Sequence, residues 1–126
     1  MQPRIKIYFD GGCRPEPKGM EIAVVIKGRS YIERDLGPGS AMEAEWRALI
    51  RAVELAQLHD IPDPLFLGDA LAVIHQAYGR AKHSDMAAAF FQRLAALIPE
   101  PTARTLRHIK RSQNLAGIAL ARLHER

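Results

Sequence analysis

The amino-acid sequence predicts an α/β domain in which helices cover both faces of a five-stranded mixed sheet. Three strand-like segments follow one another at the start of the chain with only short turns between them, which favours antiparallel pairing. Two later strand-like segments are each reached through helical segments, which favours parallel neighbours. The chain has 126 residues, of which 48% are apolar, so we expect a single domain with a buried core over residues 1–126.

The three N-terminal strands are predicted from alternating side chains and from turn residues. Residues 5–10 alternate between large apolar and more polar side chains, which is the period of a strand. This strand is expected to end at or just after Asp10, because aspartate and the two glycines that follow it are poor strand formers. Residues 21–27 form a predicted buried strand, and a turn at 27–30 joins it to a third strand at 31–36 as a hairpin.

The first helix is predicted to begin at Ser40, because Ser40 and Glu43 have the spacing of a capping box. Glu45 lies at the edge of its buried face, and the helix is expected to end near His59. That buried face is indicated by apolar residues at helical spacing, namely Trp46, Leu49, Ile50, Val53 and Ala56.

The second half of the chain returns to the sheet twice. A short apolar strand at 65–67 is expected to end at Gly68 and Asp69. The remaining predicted elements are helices at 70–78 and 86–98 with a polar link at 80–85 between them, a basic strand at 102–109, and a final helix at 112–125.

Positive charge is concentrated near the C-terminal end. The net charge is +4 and the isoelectric point is about 9.6, which is compatible with a polyanionic partner. No acidic residue occurs between Pro101 and His124, and the basic side chains around His108 are Arg104, Arg107, Lys110 and Arg111. A nucleic-acid-binding surface and a merely solvated basic face both remain open as interpretations.

Other composition features exclude several classes of protein. The single cysteine, Cys13, rules out a disulfide framework and is compatible with a reducing compartment. The apolar runs are too short to span a membrane, and the first residues lack the apolar core of a signal peptide. We therefore expect a cytoplasmic protein without a membrane partner, and a monomer is the default expectation for its oligomeric state.

Three carboxylates form the candidate site. Asp10 and Asp69 each follow a predicted strand, so they emerge at the same sheet edge if the two strands are adjacent and parallel. Glu45, on the sheet-facing edge of the first helix, can reach that edge. Each acid alone is adequately explained as a surface residue or a strand-to-turn junction. As a set they would repel one another unless a cation neutralised them, and oxygen ligands favour Mg²⁺ or Mn²⁺.

At this point the chain resembles the type 1 ribonuclease H family. Four segments match motifs of that family in order and spacing: Phe-Asp-Gly-Gly-Cys at 9–13, Ser-Ala-Met-Glu-Ala-Glu-Trp-Arg-Ala-Leu-Ile at 40–50, Gly-Asp-Ala-Leu-Ala-Val-Ile-His-Gln at 68–76, and Arg-His-Ile-Lys-Arg-Ser-Gln-Asn at 107–114. The resemblance covers nearly the whole chain. It implies a ribonuclease H-like fold and a magnesium-dependent endonuclease that cuts the RNA strand of an RNA–DNA hybrid.

The resemblance also implies roles for individual residues. Asp10, Glu45 and Asp69 would hold the metal, with Asp10 bridging two ions. His108 resembles the mobile histidine of the family, a proton shuttle or product-release group, and a merely exposed histidine in a basic strand remains the open alternative. The residues implied to contact nucleic acid are the peptide groups of Gly11, Gly12 and Cys13 at the RNA 2′-hydroxyls, and Ser40 at a DNA phosphate.

The chain departs from the family at the fourth carboxylate. The family's pattern Asn-x-x-Ala-Asp-x-Leu-Ala is matched by residues 114–121, but the aspartate position is held by Ile118. Three explanations remain open: activity with weaker metal binding, since Mg²⁺ keeps several waters; partial substitution by the side-chain oxygen of Asn114, one turn earlier; or loss of the chemistry with retention of the fold.

Further departures concern the substrate. Glu16, Ala41 and Met42 stand where the family has asparagines, and only residues 80–85 occupy the place of the basic extension found in longer relatives. The alternative function is therefore a non-catalytic nucleic-acid-binding module that uses Arg107 and Arg111. Another kind of nuclease on the same fold is a third interpretation.

Overall fold

The computed structural model describes residues 3–80 and 84–124 of the chain. Its five strands form one sheet in the order β3-β2-β1-β4-β5. Strands β1, β2 and β3 are antiparallel to one another, whereas β4 pairs in parallel with both β1 and β5, so the predicted mixed sheet is confirmed. The strands are β1 (Lys6–Arg14), β2 (Gly19–Ile26), β3 (Arg29–Glu33), β4 (Leu65–Gly68) and β5 (Leu106–His108).

Four α-helices cover the two faces of this sheet. They are α1 (Ala41–Leu58), α2 (Leu71–Ala77), α3 (Asp85–Leu97) and α4 (Leu115–Arg122). Helices α1, α2 and α3 share one apolar core with the inward side chains of β1 and β2, and the indole Nε1 of Trp46 donates to Gln76 Oε1 across 2.7 Å inside it. Helix α4 packs on the opposite face through Ala116 and Leu120, which contact Ala23 and Val25 of β2. The prediction of helices on both faces is confirmed.

Strand β1 is longer than the sequence predicts. The expectation that it ends at or just after Asp10 is wrong, because the antiparallel ladder with β2 continues to the Arg14–Gly19 pair. The parallel ladder with β4 stops earlier, at the Tyr8–Leu67 pair. Gly11 is required inside the long strand, since a Cβ there would lie 2.2 Å from the carbonyl oxygen of Ala44 in α1. Pairing with β2 thus outweighs the poor strand propensity of the glycines.

The C-terminal elements are shorter than predicted. Only Leu106–His108 of the expected strand at 102–109 is a strand, because a tight turn closes from Thr102 to Thr105. The expected final helix is divided into a 3₁₀ turn at Arg111–Gln113 and helix α4, with Asn114 extended between them. Residues 125 and 126, and residues 81–83 of the predicted polar link, lie outside the described residues.

Candidate active site

The structure brings Asp10, Glu45 and Asp69 together at one edge of the sheet. One carboxylate oxygen from each lies within 4.8 Å of the others. Asp10 and Asp69 each stand two residues beyond Tyr8 and Leu67, the last pair of the parallel β1–β4 ladder. Beyond that pair the two strands are no longer joined by hydrogen bonds, so the side chains of Asp10 and Asp69 can approach each other. The predicted carboxylate cluster is therefore present in the fold.

Glu45 is held in place by the backbone of the first strand. Its Oε1 accepts a hydrogen bond from the Gly11 N–H, and the absence of a side chain at Gly11 allows α1 to approach this closely. Helix α1 starts where expected, because Ser40 Oγ accepts from the Glu43 N–H at 3.0 Å as an N-cap. The cap and the Gly11 contact together fix the position of Glu45 in relation to Asp10.

Burial makes this cluster unfavourable for three negative charges. Desolvation, aided by the charge of Asp69, raises the pKa of Asp10 to about 6. Desolvation, aided by the charge of Asp10, raises the pKa of Glu45 to about 9. Arg111 Nε lies 3.8 Å from Asp69 Oδ2, but its side chain is 94% exposed and therefore compensates weakly. The cluster has the electrostatics of a site made for an additional cation.

The donor set fits a hard divalent cation. Within the described part of the chain, the buried Asp69 Oδ2 has no hydrogen-bond partner, although buried carboxylate oxygens are normally bonded. All three candidate ligands offer oxygen, which suits Mg²⁺ or Mn²⁺ better than Zn²⁺. The residues present therefore fit the predicted metal.

A groove of about 410 Å³ opens beside Asp10, between the end of β1 and helix α4. Gly117 lies at the Asp10 end, where a Cβ would be 3.4 Å from Asp10 Oδ2. Ile118, which the sequence resemblance assigns to the fourth carboxylate position, lines this groove and is 37% exposed. The side of Asp10 that faces α4 is therefore lined by Gly117 and Ile118, neither of which offers a polar side chain.

The side chain of Asn114, the metal ligand suggested from the sequence, makes two backbone hydrogen bonds. It is fully buried, its Nδ2 donates to the Phe9 carbonyl at 3.0 Å, and its Oδ1 accepts from the Ala116 N–H at 3.1 Å. The side-chain oxygen thus caps the N-terminus of α4. Its role in this structure is to attach α4 to β1, one residue before Asp10.

Replacing Asn114 with alanine is therefore expected to destabilise the fold by about 2–4 kcal/mol, since it removes a helix cap and leaves the buried Phe9 carbonyl unpaired. Urea unfolding of the variant measures this change. Gln113→Ala, at an exposed neighbouring position, is the matched control and should change stability by less than about 0.5 kcal/mol. A variant as stable as the wild type would show that the Asn114 bonds do not hold α4.

The predicted nucleic-acid-binding residues lie in different places. Gly11, Gly12, Cys13 and Arg111 line the groove beside Asp10. Cys13 Sγ lies 3.1 Å from the Gly39 carbonyl, so the exposed N-cap Ser40 is next to this strand end.

Arg107 and His108 are exposed on β5. Arg107 Nε donates to the Ala103 carbonyl at 3.3 Å, and His108 pairs with Gly68, the residue before Asp69. Neither residue lines the groove beside Asp10. Of these two predicted site residues, His108 is therefore the nearer in sheet register to the carboxylate cluster.

Two groove residues were not singled out from the sequence. Glu21, in β2, is 4% exposed, and its Oε2 lies 2.7 Å from His124 Nε2. The only signal in the sequence is an isolated acidic residue within the apolar strand at 19–26. Its partner is 103 residues away and could not be inferred from spacing.

Comparison with known proteins identifies the family. A family model described as reverse transcriptase-like matches residues 10–124, which include all three carboxylates. The chain belongs to this family. The matched region begins at Asp10 and ends at His124, so it contains both walls of the groove. A search of curated protein sequences gave no match.

Solved structures with the same fold as this reverse transcriptase-like chain include type 1 ribonucleases H. RNase H1 from the halophilic archaeon Halobacterium salinarum NRC-1 is 25% identical with a TM-score of 0.77, and the alignment covers 94% of each chain. LC11-RNase H1, isolated from compost by a metagenomic approach, is 28% identical with a TM-score of 0.75 over 94% of this chain and 93% of that one. The resemblance to the ribonuclease H family and its fold is confirmed. No helix among residues 3–80 and 84–124 has the length and apolar character that a membrane crossing requires.

Proposed function

We propose that this protein is a metal-dependent endonuclease that hydrolyses the RNA strand of RNA–DNA hybrids. The observation that carries this proposal is the approach of Asp10, Glu45 and Asp69 to within 4.8 Å of one another at the sheet edge. LC11-RNase H1, 28% identical to this chain, has been solved in complex with an RNA/DNA hybrid. We also propose that the chain acts as a single cytoplasmic domain.

Asp10, Glu45 and Asp69 are the residues that would hold Mg²⁺ or Mn²⁺. When bound, the cation would lower the pKa of a water molecule and stabilise the negative charge that develops on the leaving oxygen. The chain itself contributes three partly buried carboxylate ligands and the Gly11 N–H that orients Glu45. His108, one strand away, is the proposed proton-transfer or product-release group.

The substrate side of the proposal rests on the walls of the groove. The backbone of Gly11, Gly12 and Cys13 is accessible there and is proposed to contact ribose 2′-hydroxyls of the RNA strand. Ser40 is proposed to contact a phosphate of the DNA strand, with help from the N-terminal dipole of α1. Arg111, exposed beside Asp69, and Arg107 add positive charge for the hybrid backbone.

A second candidate function is supported by Ile118. Because this apolar residue walls one side of Asp10, the protein could bind hybrids without cleaving them. Such a binding module should bind with an affinity that falls as salt is raised, and removal of Arg107 or Arg111 should reduce the salt slope. Binding without turnover in Mg²⁺ and in Mn²⁺ would favour this function over the endonuclease.

Removal of the metal is the direct test of the endonuclease. Purified protein with a hybrid labelled on both strands is expected to yield fragments of the RNA strand in Mg²⁺ or Mn²⁺ and none in EDTA, because the three carboxylates cannot act without a cation. Gel electrophoresis resolves the fragments, and the matching DNA and RNA duplexes serve as control substrates. Intact RNA with both metals, or cleavage of the DNA strand, would contradict the proposed function.

A further inference from the structure

A hydrogen-bonded pair of side chains lies in the same groove as Asp10 but does not belong to the carboxylate cluster. Glu21 Oε2 and His124 Nε2 are 2.7 Å apart, and both residues line the groove. Arg34 Nε is 3.9 Å from the other carboxylate oxygen of Glu21, and its side chain is 41% exposed. A buried carboxylate in the wall of a groove for a polyanion is unfavourable unless a partner covers it. His124 is that partner.

The sheet register places this pair on the same face as Asp10. Asp10 pairs with Ala23 and Gly12 pairs with Glu21, so Asp10 and Glu21 are diagonal neighbours whose side chains leave the sheet on the α4 side. The groove therefore continues from the metal cluster to Glu21 along the two adjacent strands.

The other wall shows how far the pair lies from the cluster. Gly117 and Ala121 lie one turn apart on α4, and His124 follows in the turn after the helix ends; all three line the groove. Gly117 is beside Asp10, and His124 is about 10 Å further along the helix axis, given a rise of about 1.5 Å per residue. Measured along the axis of a duplex, that distance corresponds to about three base-pair steps. His124 contacts Glu21, the diagonal neighbour of Asp10, and is thus well placed to contact a nucleotide next to the reacting phosphate.

The bond to Glu21 determines the chemistry of the imidazole. A carboxylate oxygen only accepts, so Nε2 carries the proton and donates it to Glu21. In the neutral ring Nδ1 is then an acceptor, and it is the remaining polar atom of a side chain that is 22% exposed at the groove. Among the groups of a nucleic-acid strand, an acceptor at this place selects the ribose 2′-hydroxyl, which can donate, and disfavours phosphate, which cannot.

We propose that His124, oriented by Glu21, is a substrate-contacting residue whose Nδ1 accepts a hydrogen bond from a 2′-hydroxyl of the RNA strand, within about three nucleotides of the cleaved bond. This inference rests on the proposed function, since it requires that the groove receives the RNA strand of a hybrid. It adds a side-chain contact that distinguishes RNA from DNA to the backbone contacts proposed for Gly11, Gly12 and Cys13. Glu21 is a positioning residue in this arrangement.

A double-mutant cycle on hybrid affinity, measured in EDTA so that no cleavage occurs, tests the contact between His124 and the 2′-hydroxyl. Wild type and His124→Gln are titrated with hybrids in which single RNA nucleotides near the cleavage site carry 2′-deoxyribose. Glutamine can still donate to Glu21 from its amide but has no acceptor at the place of Nδ1, so the fold is expected to be preserved. We expect His124→Gln to bind the all-ribose hybrid about fivefold more weakly than the wild type does. A single 2′-deoxy nucleotide at the contacted position should weaken binding by the wild type by the same factor and leave binding by His124→Gln unchanged.

Two further variants make the result unambiguous. His124→Asn places an oxygen near the position of Nδ1 and should recover part of the lost affinity, whereas His75→Ala, at an exposed histidine of α2 that does not line the groove, should bind like wild type. Equal losses at every 2′-deoxy position for wild type and His124→Gln would overturn the contact, as would unchanged affinity with a lowered melting temperature. If wild type binds and cleaves the hybrid in those cases, the proposed function stands without this residue. If the wild type does not bind the hybrid, the proposed function and the His124 contact are both contradicted.

Discussion

Replacing Asp10 with asparagine is expected to abolish hybrid cleavage and, at the same time, to make the protein more stable. Asp10 is the carboxylate shared by both sides of the site, between Glu45 and Asp69 on one side and the groove of α4 on the other. An amide there is a poorer ligand for a hard cation, so the cleavage rate should fall by about a thousandfold or more. The amide also removes a partly buried charge that desolvation and Asp69 disfavour, which should stabilise the metal-free fold by about 1–3 kcal/mol.

The stability gain should depend on pH in a defined direction. The folded-state pKa values, about 6 for Asp10 and about 9 for Glu45, lie above the ordinary values of 3.8 and 4.5. Near pH 4 and below, Asp10 and Glu45 are largely protonated in both the folded and the unfolded state, so the cluster reduces the free energy of unfolding only slightly. As the pH rises, the unfolded chain releases protons that the folded chain retains, so wild-type stability is lost progressively between about pH 4 and pH 9. The advantage of Asp10→Asn, and the stabilisation of wild type by Mg²⁺, should both grow over this range.

Thermal and urea unfolding at several pH values, with and without Mg²⁺, measure these effects beside the cleavage assay. Asp60→Asn is the matched control, because Asp60 is an exposed loop residue with a positive φ that asparagine also tolerates. It should leave both cleavage and stability close to wild type. An Asp10→Asn variant that still cleaves the hybrid, or that is less stable than wild type in EDTA at neutral pH, would contradict a metal site whose partly buried carboxylates repel one another.

The convergence of Asp10 and Asp69 was predictable from the sequence because it follows from local patterns and one topological rule. Two short apolar strands each lead to an aspartate, and strands connected through a helix pair in parallel, so their carboxyl ends share an edge. The N-cap at Ser40 is likewise local, and it sets the helical phase that brings Glu45 to the cluster. These features depend on neighbours within a few residues and on the order of elements.

The features that could not be predicted depend on contacts between distant residues. The extension of β1 to Arg14 results from its ladder with β2, which gives Gly11 and Gly12 partners that their own propensity would not. Asn114 was assigned a ligand role from helical spacing, but its Oδ1 caps α4 by accepting from the Ala116 N–H, and its Nδ2 donates to the Phe9 carbonyl, 105 residues away. The Glu21–His124 pair joins β2 to the end of α4 in the same way. The Asn114 and His124 cases concern the face on which α4 packs, because periodicity locates a helix without locating its partner strand.

Introducing aspartate at position 118 is expected to raise hybrid cleavage by about tenfold or more at low Mg²⁺ concentration. Ile118 lines the groove beside Asp10 and is 37% exposed, so a carboxylate there can remain hydrated and needs no cavity in the core. It would add an oxygen ligand on the side of Asp10 that Gly117 and Ile118 now wall, where Asn114 is committed to its backbone bonds. Loss of a ligand or its support commonly changes metal affinity by about 10–100-fold, so the gain should shrink as Mg²⁺ is raised to saturation.

The dependence of the cleavage rate on Mg²⁺ concentration distinguishes the explanations for Ile118. Leu115→Asp is the matched control, since Leu115 is an exposed apolar residue of the same helix that does not line the groove. A gain that disappears at saturating Mg²⁺ means that the wild-type site is intact but binds its cation weakly. A gain that persists at saturation means that the fourth carboxylate contributes to the reaction beyond cation affinity. If the wild type is inactive and Ile118→Asp remains so, with hybrid binding retained in both, the three carboxylates are not sufficient for catalysis on this fold, and the non-catalytic binding module becomes the better account of the protein.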